Sequence, residues 1–198
     1  MTKSPLLETI DALKKLDDIR NDMQITFGGQ KRPRLATLLF DIAYEHFKAI
    51  VTLINHDMPS SAAALIRVIY ETYLRGLWLA HCATDKQVSE FLKDKLELKM
   101  SEMIAEIEKV DEFNSGEFSK IHKKYWGMMN SYTHSGMFQI NCRCTAIDIG
   151  PNFTEEDKKD VLEYSLMIAK LSVYEFTKLA NDSARLERIK QLILNHGE

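Results

Sequence analysis

Residues 61–83 read SAAALIRVIYETYLRGLWLAHCA, apolar almost all the way round, which is the pattern of a helix buried in the middle of a helical domain. Three charges interrupt it. Arg67, Glu71 and Arg75 recur every four residues, so each step turns about 40° and climbs about 6 Å along one side of the helix. A buried ion is costly unless it is paired and hydrogen-bonded, and one Glu between two Arg neutralises only one of them. The spacing therefore predicts either a structural ion ladder or a cation left over for a ligand.

The flanking sequence reads as further helices. Leu6, Ile10, Leu13, Leu16 and Ile19 form one apolar face of a first helix over residues 4–25, begun by Ser4 and Pro5. Gly28 and Gly29 break it, and Lys31, Arg32 and Arg34 around Pro33 form a basic loop, either merely solvated or an anion-facing edge beside a pocket. A second helix spans residues 34–56, and Ser60 is the expected N-cap of the central third helix. The short turn between them predicts antiparallel packing. Thr84 and Gln87 form a capping box that starts a fourth helix running to Val110. A fifth covers residues 117–136. Phe138, Ile140, Cys142 and Cys144 alternate in a short extended segment near 137–149. Thr154 with Asp157 caps a last long helix that kinks or breaks at 181–183.

The 198 residues fit a single domain, 1–198, with 45% hydrophobic content and only 4 Pro and 8 Gly, so the expected fold is all-α: an antiparallel bundle of five to seven helices. A net charge of -3 excludes the global basic field of non-specific nucleic-acid binders. No secretory leader pattern is present, and the charges on the third helix argue against a membrane span. A cytoplasmic protein with three free thiols is the expectation.

The fifth helix carries a second polar stripe. Trp126, Asn130 and His134 are each four apart, so they share one side. Should the two stripes face each other, two guanidinium groups, a carboxylate, an imidazole, an amide and an indole converge. That set suits an anionic or nucleotide-like ligand: Arg grips phosphate, Trp offers a stacking face and His moves a proton near neutral pH. Tyr132 points well away on the helix and His81 lies beyond Arg75; both join the substrate-binding candidates beside Arg75, Glu71 and Trp126. Zinc is not expected, because Cys142 and Cys144 are one residue apart and His81 and Cys82 point about 100° apart. No cofactor motif is present.

ALIRVIYETYLRGLWLAHCATDKQVSEFL, together with KKYWGMMNSYTHSGMFQI, resembles a family of uncharacterised bacterial proteins over roughly Leu65 to Gly150. More remotely, the chain resembles the HEPN superfamily, all-helical domains of many bacterial toxin, abortive-infection and CRISPR-associated ribonucleases. The signature is Arg, a polar residue, three further residues, then His, and Asn130 and His134 match its second and last positions. The resemblance implies metal-free chemistry on RNA, usually across a homodimer, in a phage-defence or toxin–antitoxin setting with an antitoxin protein as a further partner. His134 and Asn130 would then be catalytic. The Arg position falls on Met129, which implies either that Arg67 or Arg75 supplies the cation from the third helix or that the pocket binds without cutting. The alternative class is a non-catalytic helical module for a small anion or a partner protein.

Overall fold

In the computed structural model, which describes residues 4–23, 25–144, 148–150 and 152–194, the chain order is α1 (Pro5–Arg20), α2 (Lys31–Asn55), α3 (Pro59–His81), α4 (Asp85–Phe91), α5 (Met100–Ile107), a single 3-10 turn (Asp111–Phe113), α6 (Glu117–Thr133), α7 (Met137–Asn141), α8 (Glu155–Leu179) and α9 (Ser183–Leu194). The fold is all-α, as the periodicity predicts. Among the described residues nine α-helices stand where five to seven were expected.

The central helix is α3, packed on α2, α6, α8 and α5. Its Ile69, Leu74, Leu77, Trp78 and Leu79 are sealed from solvent, in one continuous apolar cluster with Phe40, Tyr44 and Phe47 of α2 and Leu162, Leu166 and Val173 of α8. Gly76 sets how closely α2 approaches: a Cβ there would lie 2.6 Å from the Phe40 ring. Phe40, near the start of α2, thus meets the end of α3, so the two helices run antiparallel. Tyr44 Oη donates to Asp17 at 2.9 Å, and Arg20 pairs with Asp41 while lying over the Tyr44 and Phe176 rings; these contacts fasten α1 to α2 and α8.

Several predicted boundaries move, each for a local reason. The first helix stops at Arg20, and Asp22 turns into the left-handed region. The basic cluster is not a loop: Lys31, Arg32 and Arg34 form the first turn of α2. Cations are disfavoured there by the helix dipole, but Arg32 Nη1 donates to the Ala83 carbonyl at 2.9 Å, beyond the end of α3. Ser60 is not a cap, because Pro59 occupies the first turn and Met58 is the N-cap, as proline's fixed φ favours. The predicted helix from Asp85 to Val110 is two helices. Asp94 adopts φ +53° and Lys95 N–H donates back to the Glu90 carbonyl at 2.9 Å, closing α4. The chain then leaves helix over residues 95–99, and Leu96 and Leu98, two apart, both pack against the core. The capping boxes at Thr84 and Thr154 and the break between α8 and α9 stand as read.

Around 137–149 the expected extended segment begins instead as the short helix α7. Extended pairing is confined, among the described residues, to an antiparallel bridge between Cys144 and Ile149; residues 145–147, part of the predicted segment, lie outside the described residues. No helix among the described residues is long and apolar enough to cross a membrane.

Candidate functional site on the α3–α6 seam

The two polar stripes meet. Helix α6 runs antiparallel to α3, with Phe118 against Tyr73, His122 against Tyr70, Trp126 against Arg67, and Thr133 Oγ1 3.3 Å from the Ala64 carbonyl. Met129, apolar and 1% exposed, seals the inner side of the seam. The polar residues four apart on α6 are thereby left along its contact with α3.

Arg67 is the hub. Its Nε donates to Glu71 Oε1 at 2.5 Å, its Nη1 lies 2.6 Å from His134 Nε2, and its guanidinium carbon sits 4.8 Å from the centre of the Trp126 ring. Glu71 is shared: its other oxygen lies 3.9 Å from Arg75 Nη2, too far for a hydrogen bond. The side chains of Arg67, Glu71 and Arg75 are 22%, 20% and 36% exposed, so the ladder is neither sealed in the core nor free in water. One carboxylate between two guanidinium groups leaves the seam with a net positive charge, and Arg75 is its more accessible part.

His134 is placed by the way α6 ends. It is the C-cap, its N–H donating to the Asn130 carbonyl at 2.9 Å. Ser135 then takes φ +56° and Gly136 N–H donates to the Ser131 carbonyl at 2.7 Å, a reversal that closes the helix. A Cβ on Gly136 would come within 2.4 Å of Ser131 Oγ, so this turn needs glycine. Ser131 Oγ in turn accepts from Phe138 N–H at 2.9 Å and sets the direction of α7. Because a guanidinium can only donate, the close Nη1–Nε2 contact requires Nε2 to be the bare nitrogen of the imidazole and Nδ1 to carry the proton.

A residue that sequence reasoning missed joins the seam. The His122 ring lies 4.5 Å from that of Trp126 and 6.3 Å, stacked, from Tyr70. Burial pushes its imidazole below the usual range, against an opposing pull from the Glu71 carboxylate. Its Nδ1 and the Oδ1 of Asn130 are both buried without a hydrogen-bond partner among the described residues. Extending the 126–130–134 spacing one step back reaches His122.

Two candidates stand elsewhere. Tyr132 is turned from the seam towards α7, its ring 6.2 Å from Phe138 and 6.4 Å from Phe153, with Cys142 Sγ 3.8 Å from its hydroxyl; burial raises the phenol's pKa. His81 lies at the far end of α3, its Nε2 3.4 Å from Glu175 of α8 and its ring edge-on to Phe113. The cleft of about 680 Å³ lined by Lys31, Arg32, Asp85 and Ser89 also belongs to that end, with Ala83 about 24 Å along the axis from Arg67. Cys82, Cys142 and Cys144 are free thiols. Among the described residues no three His, Cys, Asp or Glu side chains are grouped so as to hold a metal ion.

Comparison with known proteins reaches the family level. DUF6988, a family of unknown function, matches residues 40–197. The chain belongs to this family. The match takes in all of α3 and α6, and so the whole seam, while α1 and the first turns of α2 precede it. No curated protein and no solved structure matches the chain.

Proposed function

We propose that this DUF6988 protein acts on or binds RNA or a nucleotide through the α3–α6 seam, with Arg67 and His134 as a HEPN-like pair. The observation that carries this reading is the 2.6 Å contact between Arg67 Nη1 and His134 Nε2. The signature's cation is missing at Met129, and a guanidinium from the neighbouring helix stands beside the imidazole. A pair of this kind suits metal-free phosphodiester chemistry. His134 Nε2 would take the ribose 2′-hydroxyl proton as that oxygen bonds to phosphorus. The P–O5′ bond breaks, the 5′-oxygen leaves with a proton from solvent, and a 2′,3′-cyclic phosphate remains. Arg67 and Arg75 would carry the phosphate charge. A cytoplasmic homodimer in a bacterial defence or toxin–antitoxin system, with an antitoxin protein as partner, is the setting that goes with the HEPN resemblance.

The test is incubation of the purified protein with total RNA in EDTA, beside His134→Ala and Arg67→Ala. Cleavage lost in both variants supports the ribonuclease reading, and absent cleavage, or cleavage unchanged in both, overturns it. A second reading, a non-catalytic module for a small anion or a partner protein, is favoured by the 2.5 Å contact with which Glu71 already balances Arg67. It expects a thermal shift of several degrees with a nucleotide or phosphate, lost in Arg75→Ala, and no cut RNA.

A further inference from the structure

The contact that supports the proposed function also obstructs it. His134 can act as a base only through the lone pair on Nε2, and that lone pair faces the guanidinium of Arg67. We infer that Arg67 masks the basic nitrogen of His134 and that the phosphodiester of an RNA ligand unmasks it by competing for the same guanidinium. This rests on the reading of the seam as an RNA or nucleotide site and adds its regulation: the base is covered until the ligand is seated.

Three features of the seam support a switch of this kind. The grip that guanidinium applies to a phosphate is a fork, two parallel N–H donors on one anion. With Nε held by Glu71 at 2.5 Å, the free end of the fork is Nη1 and Nη2, and Nη1 is the atom that faces His134. A phosphate carries full negative charge whereas a neutral imidazole carries none, so the anion is the stronger acceptor. Arg75, 36% exposed and 3.9 Å from Glu71, adds positive charge from which an approaching anion gains before it reaches Arg67. Glu71 and Trp126 are positioning residues in this scheme. The carboxylate fixes Nε, and the indole face, 4.8 Å from the guanidinium carbon, holds the group's plane by cation–π attraction. Trp126 is accordingly an orienting surface for Arg67 rather than a stacking platform for a base, since His122 also lies against its ring at 4.5 Å.

The imidazole nitrogens report the switch directly. Two-bond proton–nitrogen spectra of the ¹⁵N-labelled protein distinguish the two tautomers, and His134→Gln identifies the His134 signals among the six histidines. Without ligand, His134 is expected as the Nδ1–H tautomer with Nε2 moved upfield by the donated hydrogen bond. A 2′-O-methylated RNA hexamer, which has no 2′-hydroxyl to react, should shift the Arg67 guanidinium signals and move Nε2 downfield to the value of an uncovered nitrogen. Trp126→Leu and Glu71→Gln should show that downfield position before any RNA is added, and Trp126→Phe should restore the wild-type spectrum. An Nε2–H tautomer in the free protein overturns the masking. So does a hexamer that shifts Arg67 and leaves His134 Nε2 hydrogen-bonded, although RNA binding at the seam then survives. A hexamer that shifts neither Arg67 nor Arg75 overturns the proposed function, and the switch with it.

Discussion

The two ends of α3 carry similar chemistry in opposite surroundings. At one end Arg67 and Glu71, with side chains about one-fifth exposed, meet the exposed His134, the carboxylate coming from α3 itself and the imidazole facing a cation. At the other, His81 faces Glu175 of α8, whose side chain is 2% exposed. Lys178 stands 4.0 Å from Glu175 and bonds Glu112, and the Trp78 indole donates to Glu106 of α5 at 2.5 Å. The far end pairs His81 and Lys178 with Glu175, Lys178 with Glu112 and Trp78 with Glu106, and ties α3 to α5 and α8. The near end leaves one cation over and turns an imidazole nitrogen towards a donor. Pairing around a buried carboxylate serves cohesion, whereas the incompletely paired charge nearer solvent is what the proposed function would use to meet a ligand.

Substitutions at the two ends should therefore diverge. His134→Ala should reduce metal-free RNA cleavage by about 100-fold or more, the usual scale for losing an acid–base group, with little change in thermal midpoint. His81→Ala should lower the midpoint and leave the cleavage rate intact; equal loss of activity in both would erase the distinction. In urea denaturation, Glu175→Ala should cost about 3 kcal/mol, because it empties a buried site and takes from His81 and Lys178 the carboxylate they share. Glu71→Ala should cost about 1 kcal/mol, since water reaches its partners.

Lys170 shows the cost of a buried cation with no carboxylate partner among the described residues. It is 4% exposed and donates to the Leu192 carbonyl at 2.8 Å, and burial, helped by the charge of Lys15, lowers its pKa from 10.5 to about 8. Between those values the unfolded chain binds more protons than the folded one, so Lys170 penalises folding fully below pH 8 and the penalty lifts as pH rises towards 10.5. Urea titrations should show a gain of about 2 kcal/mol across that window, and Lys170→Met should remove it. An effect as small as that of Glu71→Ala tests the apolar frame common to both ends. Gly76→Ala forces a methyl against Phe40, and after the helix-propensity gain of alanine the net loss should be about 1 kcal/mol by the same assay.

Much of the fold was legible because helix signals are local. Ser4, Thr84 and Thr154 begin helices, the apolar periodicity marks their inner faces, and 61–83 is apolar enough to be central. The break after Phe91 was hidden, since the chain from Leu92 to Lys99 is composed of good helix formers and leaves helix for the core contacts of Leu96 and Leu98. The cluster at Lys31 looked like a loop because its stabilising partner, the Ala83 carbonyl, is 51 residues away. Within the site, four-residue spacing was enough to select Arg67, Glu71, Arg75, Trp126, Asn130 and His134. Tyr132 and His81 entered by residue type alone, and a spacing read one step further would have added His122.

By itself, then, the sequence determined which residues share a helix face, because a rise of about 1.5 Å and a turn of about 100° per residue are properties of the backbone alone. Which faces meet was decided only by the tertiary structure. The antiparallel docking of α6 on α3, pinned by Thr133 at Ala64 and sealed by Met129, sets Arg67 against His134 across 67 residues of chain. That pairing depends on how two helices pack, and no local spacing encodes it.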